Sequence, residues 1–443
     1  MKLLMVSLGC DKNLVDTEFM LGLFTQHGFV FTDDEEEADV IVVNTCCFIH
    51  DAKQESIDTI LEMAAYKEKN LKALIVCGCL AQRYHDEIIK EIPEVDAVVG
   101  TSSYDMVISA INEVLSRGKS KKLEDVNRLP APDVKRVIST PGHFAYLKIA
   151  EGCDKCCTYC IIPKIRGHYR SYPIERLVEE AKHLALLGVK ELIVIAQETT
   201  VYGVDLYGRK SLPTLLHELC KIDGIKWIRL MYAYPEEIDD DLIECMASEK
   251  KILHYVDMPI QHASDNILKK MGRRTDQAKI RLVVEKLRSA MPDICIRTTL
   301  ITGFPTETQE DHEELYRFVN EMEFDRLGVF TYSCEEDTAA AKMEGQIPEE
   351  IKQARYEELM ELQQAIVFEK NEKLVGTAFD IIVDGSIPED GVNVCRTYRD
   401  APDIDGYLFM NSDHLYDTGV MGRAKVIDAH DYDLEGVDLV EFT

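Results

Sequence analysis

Six short strand-like runs, at 144–150, 191–196, 227–232, 254–259, 294–300 and 327–332, recur through the middle of this chain, with stretches of helical periodicity such as 175–187 and 278–290 between them. Strands alternating with helices lie parallel, because each crossover returns the chain to the same end of the sheet. Six such units predict a full or partial (β/α)6 TIM-like barrel with its chemistry at the C-terminal ends of the strands. The chain has 443 residues, more than the roughly 250–300 that one core holds, so further domains are expected on either side.

Before the barrel, residues 1–118 carry a second α/β alternation, with strand candidates at 3–7, 40–44, 73–77 and 96–99. The first three run directly into cysteine: Cys10, then Cys46 and Cys47, then Cys77 and Cys79. Loops that follow successive strands of a parallel sheet emerge on one edge, so the three can deliver thiols to a single point. Residues 119–141 open with Lys119, Lys121 and Lys122, hold three prolines and lack periodicity, and so are expected to form a linker. The barrel and a trailing helix over 352–375 fill 142–375. From 376 to 443, short runs broken by Asp-Gly and Asp-Thr-Gly turns predict a small all-β barrel.

The chain has 14 cysteines and no run long enough to span a membrane, and its first residues are too few for a signal peptide. A cytoplasmic protein is expected, in which cysteines serve metals better than disulfides. In the loop after the first barrel strand, Cys153, Cys157 and Cys160 form Cys-x3-Cys-x2-Cys. Three thiolates can hold a cubane iron-sulfur cluster and leave one iron open to an outside ligand. A zinc site would normally set a long spacer between its cysteine pairs, and there is none. Cys156 offers the reversed spacing and is read as a bystander. Cys10, Cys46 and Cys79 form a second candidate triad in which Cys47 or Cys77 could substitute. Cys220, Cys245, Cys295, Cys334 and Cys395 have no partner at ligand spacing and are read as core.

The Cys153 spacing resembles the signature of the radical S-adenosylmethionine superfamily. Ser7-Leu-Gly-Cys-Asp-Lys-Asn-Leu-Val-Asp16, Val43-Asn-Thr-Cys46 and Cys77-Gly-Cys-Leu-Ala-Gln-Arg83 resemble the N-terminal domain of the methylthiotransferases, whose domain order ends in a TRAM barrel. The resemblance implies two 4Fe-4S clusters: one on Cys153, Cys157 and Cys160 that binds S-adenosylmethionine, and one on Cys10, Cys46 and Cys79 that holds the sulfur to be inserted. It also implies a reduced electron-donor protein as partner. Tyr159, Gln197, Glu198 and Arg297 are expected to contact the cofactor, Tyr159 at its adenine, the strand-end pair at its amino group and Arg297 at its carboxylate.

One branch of the family modifies an adenosine of transfer RNA, the other an aspartate β-carbon of the twelfth small-subunit ribosomal protein. The segments Leu8–Asn13, Ala196-Gln-Glu-Thr-Thr-Val-Tyr-Gly203 and Asp257-Met-Pro-Ile-Gln-His-Ala-Ser264 resemble the second branch, apart from Glu198, where Asp is usual. Charge points the same way. Fifty Lys and Arg against 80 Asp and Glu leave a net charge of −30, which repels phosphate backbones and attracts a basic protein. The C-terminal segment is itself acidic. Asp400, Asp403, Asp405, Asp428, Asp431 and Asp433 are expected among the acids that dock the ribosomal protein, and direct nucleic-acid binding is disfavoured.

Overall fold

The computed structural model describes residues 1–130, 132 and 134–439. The first sheet contains β1 (Lys2–Ser7), β2 (Val30–Phe31), β3 (Val40–Thr45), β4 (Ala73–Cys77), β5 (Ala97–Val99) and β6 (Ser120–Lys122). Their order is β2-β1-β3-β4-β5-β6, parallel throughout. Strands β3 and β4 are buried along their whole length, since helices cover both faces and the runs are almost uniformly apolar. Phe19 and Ile111 pack on one face, Ile60 and Leu80 on the other.

The expected linker therefore starts late. Its basic opening is β6, an edge strand where lysines stay solvated and discourage further pairing. Lys121 pairs with Asp86 and Lys122 with Glu113, so the cluster that looked like a linker signal is local neutralisation.

The second sheet contains β7 (Phe144–Lys148), β10 (Glu191–Ile195), β11 (Trp227–Leu230), β12 (Ile252–Asp257), β13 (Cys295–Thr302) and β14 (Arg326–Thr331), ordered β14-β13-β12-β11-β10-β7. All pairs are parallel, and the sheet stays open between β7 and β14, giving a partial barrel. A ribbon of β8 (Ala150–Glu151) with β9 (Arg170–Ser171) frames the loop after β7. Alternate residues face opposite ways along a strand. Leu147, Leu192, Val194 and Leu230 thus pack under the barrel helices. Tyr146, Ile193 and Ile195 face inward and meet Phe19 and Tyr104 of the N-terminal domain. The helix Glu349–Glu372 follows β14. Among the described residues no helix is long and apolar enough to cross a membrane.

The last five strands, β15 (Ala378–Ile387), β16 (Val392–Thr397), β17 (Leu408–Asn411), β18 (Met421–His430) and β19 (Asp433–Leu439), close a small barrel. It is rooted in the larger one by buried ion pairs. Arg396 and Arg229 clamp Glu191 from both sides at 2.7 Å, and Arg326 bonds Asp400 at 2.6 Å. Arg399 lies 3.1 Å from Asp325, and His143 lies 2.7 Å from Asp384.

This rooting corrects the docking residues expected from composition. Asp400 is buried on Arg326 and Thr397, and Asp405 takes hydrogen bonds from Tyr255 and the Ala401 amide. Asp433 accepts from the Tyr407 amide. Asp403, Asp428 and Asp431 are exposed. Two of the segment's four cations, Arg396 and Arg399, are also buried, so its outer face keeps roughly the acidic balance of the whole segment.

Candidate active site

Gly152 turns the chain from β8 into the loop that carries Cys153. Its φ is +76°, and a Cβ there would stand 2.1 Å from the His168 carbonyl oxygen, so only glycine permits the turn. Cys153 and Cys157 are buried and Cys160 half-buried. Cys156 adopts a left-handed φ of 54° and is exposed, which separates it from its neighbour Cys157 and supports the Cys-x3-Cys-x2-Cys reading. Burial, with the neighbouring Cys157 adding to it, pushes the Cys153 thiol up to about 12. Burial first, then Cys157 and Cys153, also raises Cys160. Thiols so placed stay neutral until a cation deprotonates them.

The other triad is built the same way. Cys10 precedes the helix Asp11–Gln26, Cys46 follows β3, and Cys79 lies in the first turn of the helix Gly78–Arg83. Gly9, at φ +85°, lets the first loop approach so closely that a Cβ would sit 2.6 Å from that of Cys46. Asn13 ties the loops together, donating to the Leu8 and Thr45 carbonyls at 3.1 and 2.9 Å, while the Cys79 thiol donates to Asn13 Oδ1 at 3.7 Å. Burial chiefly raises Cys79, and Cys47, Cys46 and Cys10 add their charge. Cys77 is raised by burial alone and lies in the core on the sheet face opposite Cys79. Cys47 packs on the same face as Cys79, beside Arg83. Cys334, read as core, is exposed.

Two tyrosines bring the triads to one place. Tyr232 donates to Asp11 Oδ1 at 3.3 Å with its ring 2.8 Å from Lys12 Nζ, next to Cys10. Two residues on, the Tyr234 hydroxyl lies 4.0 Å from Cys157 Sγ. The loop after β11 thus reaches Cys157 through Tyr234 and, through Tyr232, the two residues that follow Cys10. Tyr232 has a left-handed φ of 59°, a strained setting for an aromatic residue and a common mark of functional sites.

On the Cys157 side several buried polar atoms lack a hydrogen bond: Gln197 Oε1, Glu198 Oε2, and Arg273 Nε and Nη1. Glu198 accepts from Thr200 through Oε1, and Lys155 Nζ lies 3.6 Å from Oε2. Burial outweighs that lysine and raises the carboxyl to about 7. Tyr159 packs edge-on to Phe304 in the same region. Arg297 is elsewhere: its guanidinium lies 2.8 Å from Asp257 and 3.5 Å from Asp405, so it is already neutralised, against the expectation that it meets the cofactor carboxylate. Arg273 was missed. It is buried, stacks 4.2 Å from the Tyr234 ring centre and, with Nη2 3.7 Å from Glu236, keeps Nε and Nη1 without hydrogen bonds. Nothing in Met-Gly-Arg-Arg distinguishes it from a surface arginine.

Comparison with known proteins follows this layout. Residues 2–100 match an uncharacterised family designated UPF0004, 147–319 the radical SAM superfamily and 375–438 the TRAM domain. The ribosomal protein uS12 methylthiotransferase RimO of Lachnoclostridium phytofermentans is 60% identical, covering 98% of this chain and 99% of that protein. The chain belongs to the RimO family. The RimO of Acetivibrio thermocellus is 52% identical over 97% of both chains. Among solved structures, the radical S-adenosylmethionine methyltransferase TsrM of Kitasatospora setae aligns with a TM-score of 0.54 at 14% identity, over 74% of this chain and 72% of that one, a likeness of fold alone.

A radical SAM domain in the RimO family brings a 4Fe-4S cluster and S-adenosylmethionine. The residues here fit both. The orphaned carboxylate oxygen of Glu198 and the free donors of Arg273 suit the two charged ends of an amino acid. Glu198→Gln is expected to weaken S-adenosylmethionine binding by about 10-fold or more, the worth of one charge-assisted hydrogen bond. In the parent, affinity should rise with pH through about 7, as the carboxylate gains the charge that attracts an ammonium group. Equilibrium binding of the cofactor across pH 6–8, in parent and variant, checks both; a flat profile in the parent would remove Glu198 from the role.

Proposed function

We propose that this chain methylthiolates the β-carbon of an aspartate in ribosomal protein uS12, using a cluster on Cys153, Cys157 and Cys160 and a second 4Fe-4S cluster on Cys10, Cys46 and Cys79. The observation that carries the proposal is the loop of Tyr232 and Tyr234, which links Cys157 to the residues next to Cys10, since a methylthio group can only reach a carbon radical formed in the same cavity. When bound, the cluster and S-adenosylmethionine supply a carbon radical able to take hydrogen from an unactivated C–H bond. The chain's own residues do the rest. Glu198 and Arg273 orient the amino acid end of the cofactor, Tyr159 and Phe304 wall it, and Asn13 holds the second triad's loops at a fixed depth.

The outer face of the C-terminal barrel favours the protein substrate over RNA. Asp403, Asp428 and Asp431 are exposed there, and two of the arginines that could grip phosphate are buried. The triple variant D403K/D428K/D431K is expected to cut the rate of uS12 modification about 10-fold or more at low salt, with unchanged deoxyadenosine production when no substrate is added. The deciding experiment incubates reconstituted enzyme with uS12 and, separately, with unmodified transfer RNA, and weighs the products. A methylthio mass on the RNA and none on the protein would reverse the assignment.

A further inference from the structure

We propose that Lys269, Lys270 and Arg274, joined by Lys342, form the docking site of an acidic one-electron carrier protein directly over the cluster loop. The inference rests on the placement of a cluster at Cys153, Cys157 and Cys160, and not on the identity of the substrate.

Residues 269–274 read Lys-Lys-Met-Gly-Arg-Arg, four cations and no acid, in a chain whose acids outnumber its cations by 80 to 50. The segment is not a stray surface feature. Its backbone grips the cluster loop: the Thr158 amide donates to the Met271 carbonyl at 2.9 Å, and the Thr158 hydroxyl to that of Lys270 at 2.8 Å. Gly272 lies against the backbone of Cys156 and Thr158. From the other side the Ala340 amide donates to the Thr158 carbonyl at 2.8 Å, which brings Lys342 to the same loop. Lys269, Arg274 and Lys342 are exposed, and no ion pair is formed by them among the described residues, whereas the nearby Asp154 is engaged by His168 at 2.7 Å. Glu344 is the exposed acid that follows Lys342.

Position gives the patch its meaning. Cys156 is exposed and covalently adjacent to Cys157, so this surface is one residue removed from a proposed cluster ligand. Electron transfer weakens steeply with distance, and a donor must press against the nearest surface. A basic rim on a strongly acidic protein overcomes the repulsion that an acidic donor would otherwise meet, and it steers the encounter. In the transfer, the donor is oxidised by one electron, which ends on the cluster beneath the loop, reduced by one. The acidic outer face of the C-terminal barrel suits a basic partner, so donor and substrate would occupy separate surfaces.

The test uses full-length reconstituted enzyme without substrate. Bleaching of its visible absorbance is followed in a stopped-flow instrument with two reductants: a reduced acidic two-cluster ferredoxin, and photoreduced 5-deazariboflavin, which is small and uncharged. K269E/R274E is expected to lower the ferredoxin rate constant at least about 10-fold at low ionic strength and to flatten its salt dependence, with iron content and the deazaflavin rate as in the parent. K269R/R274K should keep the parent rate. An unchanged ferredoxin rate in K269E/R274E overturns the proposal. So does an equal loss with both reductants, which would make the segment a support for the loop. Retention of the parent, but not of K269E/R274E, on a ribosomal RNA fragment, with ferredoxin reduction intact, would assign the patch to nucleic acid instead.

Discussion

Cys157→Ala is expected to abolish 5′-deoxyadenosine formation and remove about half of the iron, while Cys79→Ala should remove the other half and leave deoxyadenosine formation in place. Under the proposed assignment each triad holds its own cluster, and the atoms left without hydrogen bonds on Glu198 and Arg273 lie on the Cys153 side. Losing one of three thiolates leaves a cluster too few ligands, so the effect should be near total rather than graded. Methylthio transfer to uS12 disappears in both variants, for different reasons. Iron and sulfide analysis, deoxyadenosine by chromatography and product mass together separate the two. A Cys79→Ala enzyme that keeps all its iron would show that Cys47, which shares the Cys79 face of the sheet, had been underrated.

Arg166→Met is expected to destabilise the apoprotein by about 3–5 kcal/mol, the cost of leaving a buried charge without its partner. Arg166 Nη1 lies 2.8 Å from Asp16 and 3.2 Å from Glu151, its Nη2 reaches Asn13 Oδ1, and Lys148 bonds both carboxylates. The four charged side chains are almost fully enclosed, two positive and two negative. Burial alone would raise Glu151, but Lys148 and then Arg166 override it and hold the carboxyl at about 2. Removing the guanidinium leaves two carboxylates on one lysine. Adding Asp16→Asn restores neutrality, so R166M/D16N should recover most of the loss, a non-additivity expected of groups in contact. Denaturant unfolding of the metal-free chains measures it. An R166M protein no weaker than an exposed control such as R281M would show that the network carries no such load. Because Asn13 also receives the Cys79 thiol, the same variant should lose iron from the N-terminal triad first.

The parallel sheets were legible because their strands are continuous apolar runs, a pattern that survives without knowledge of what packs on them. Strand β6 was not, since Ser-Lys-Lys has no strand character and pairs only because β5 offers a free edge. The cysteine spacing proposed both triads, while the exposure and backbone angle that set Cys156 apart from Cys157, and the sheet face that sets Cys77 apart from Cys79, are visible only in the fold. Charge counting found an acidic C-terminal segment and could not tell which acids face inward. Asp405 and Arg297, far apart in sequence, neutralise each other, and so each was misread, one as a docking acid and one as a cofactor ligand. Arg273 was invisible because its role depends on what surrounds it rather than on its neighbours in the chain.

The buried clamp of Arg396 and Arg229 on Glu191 has a consequence for how such chains diversify. Glu191 opens the second strand of the barrel, fully enclosed, and half of its charge balance comes from the C-terminal barrel. That barrel is therefore a keystone, not a pendant. A lineage that changed its target would be free to repaint the outward face with new charges, yet any exchange of the whole module would have to bring an arginine to the same spot.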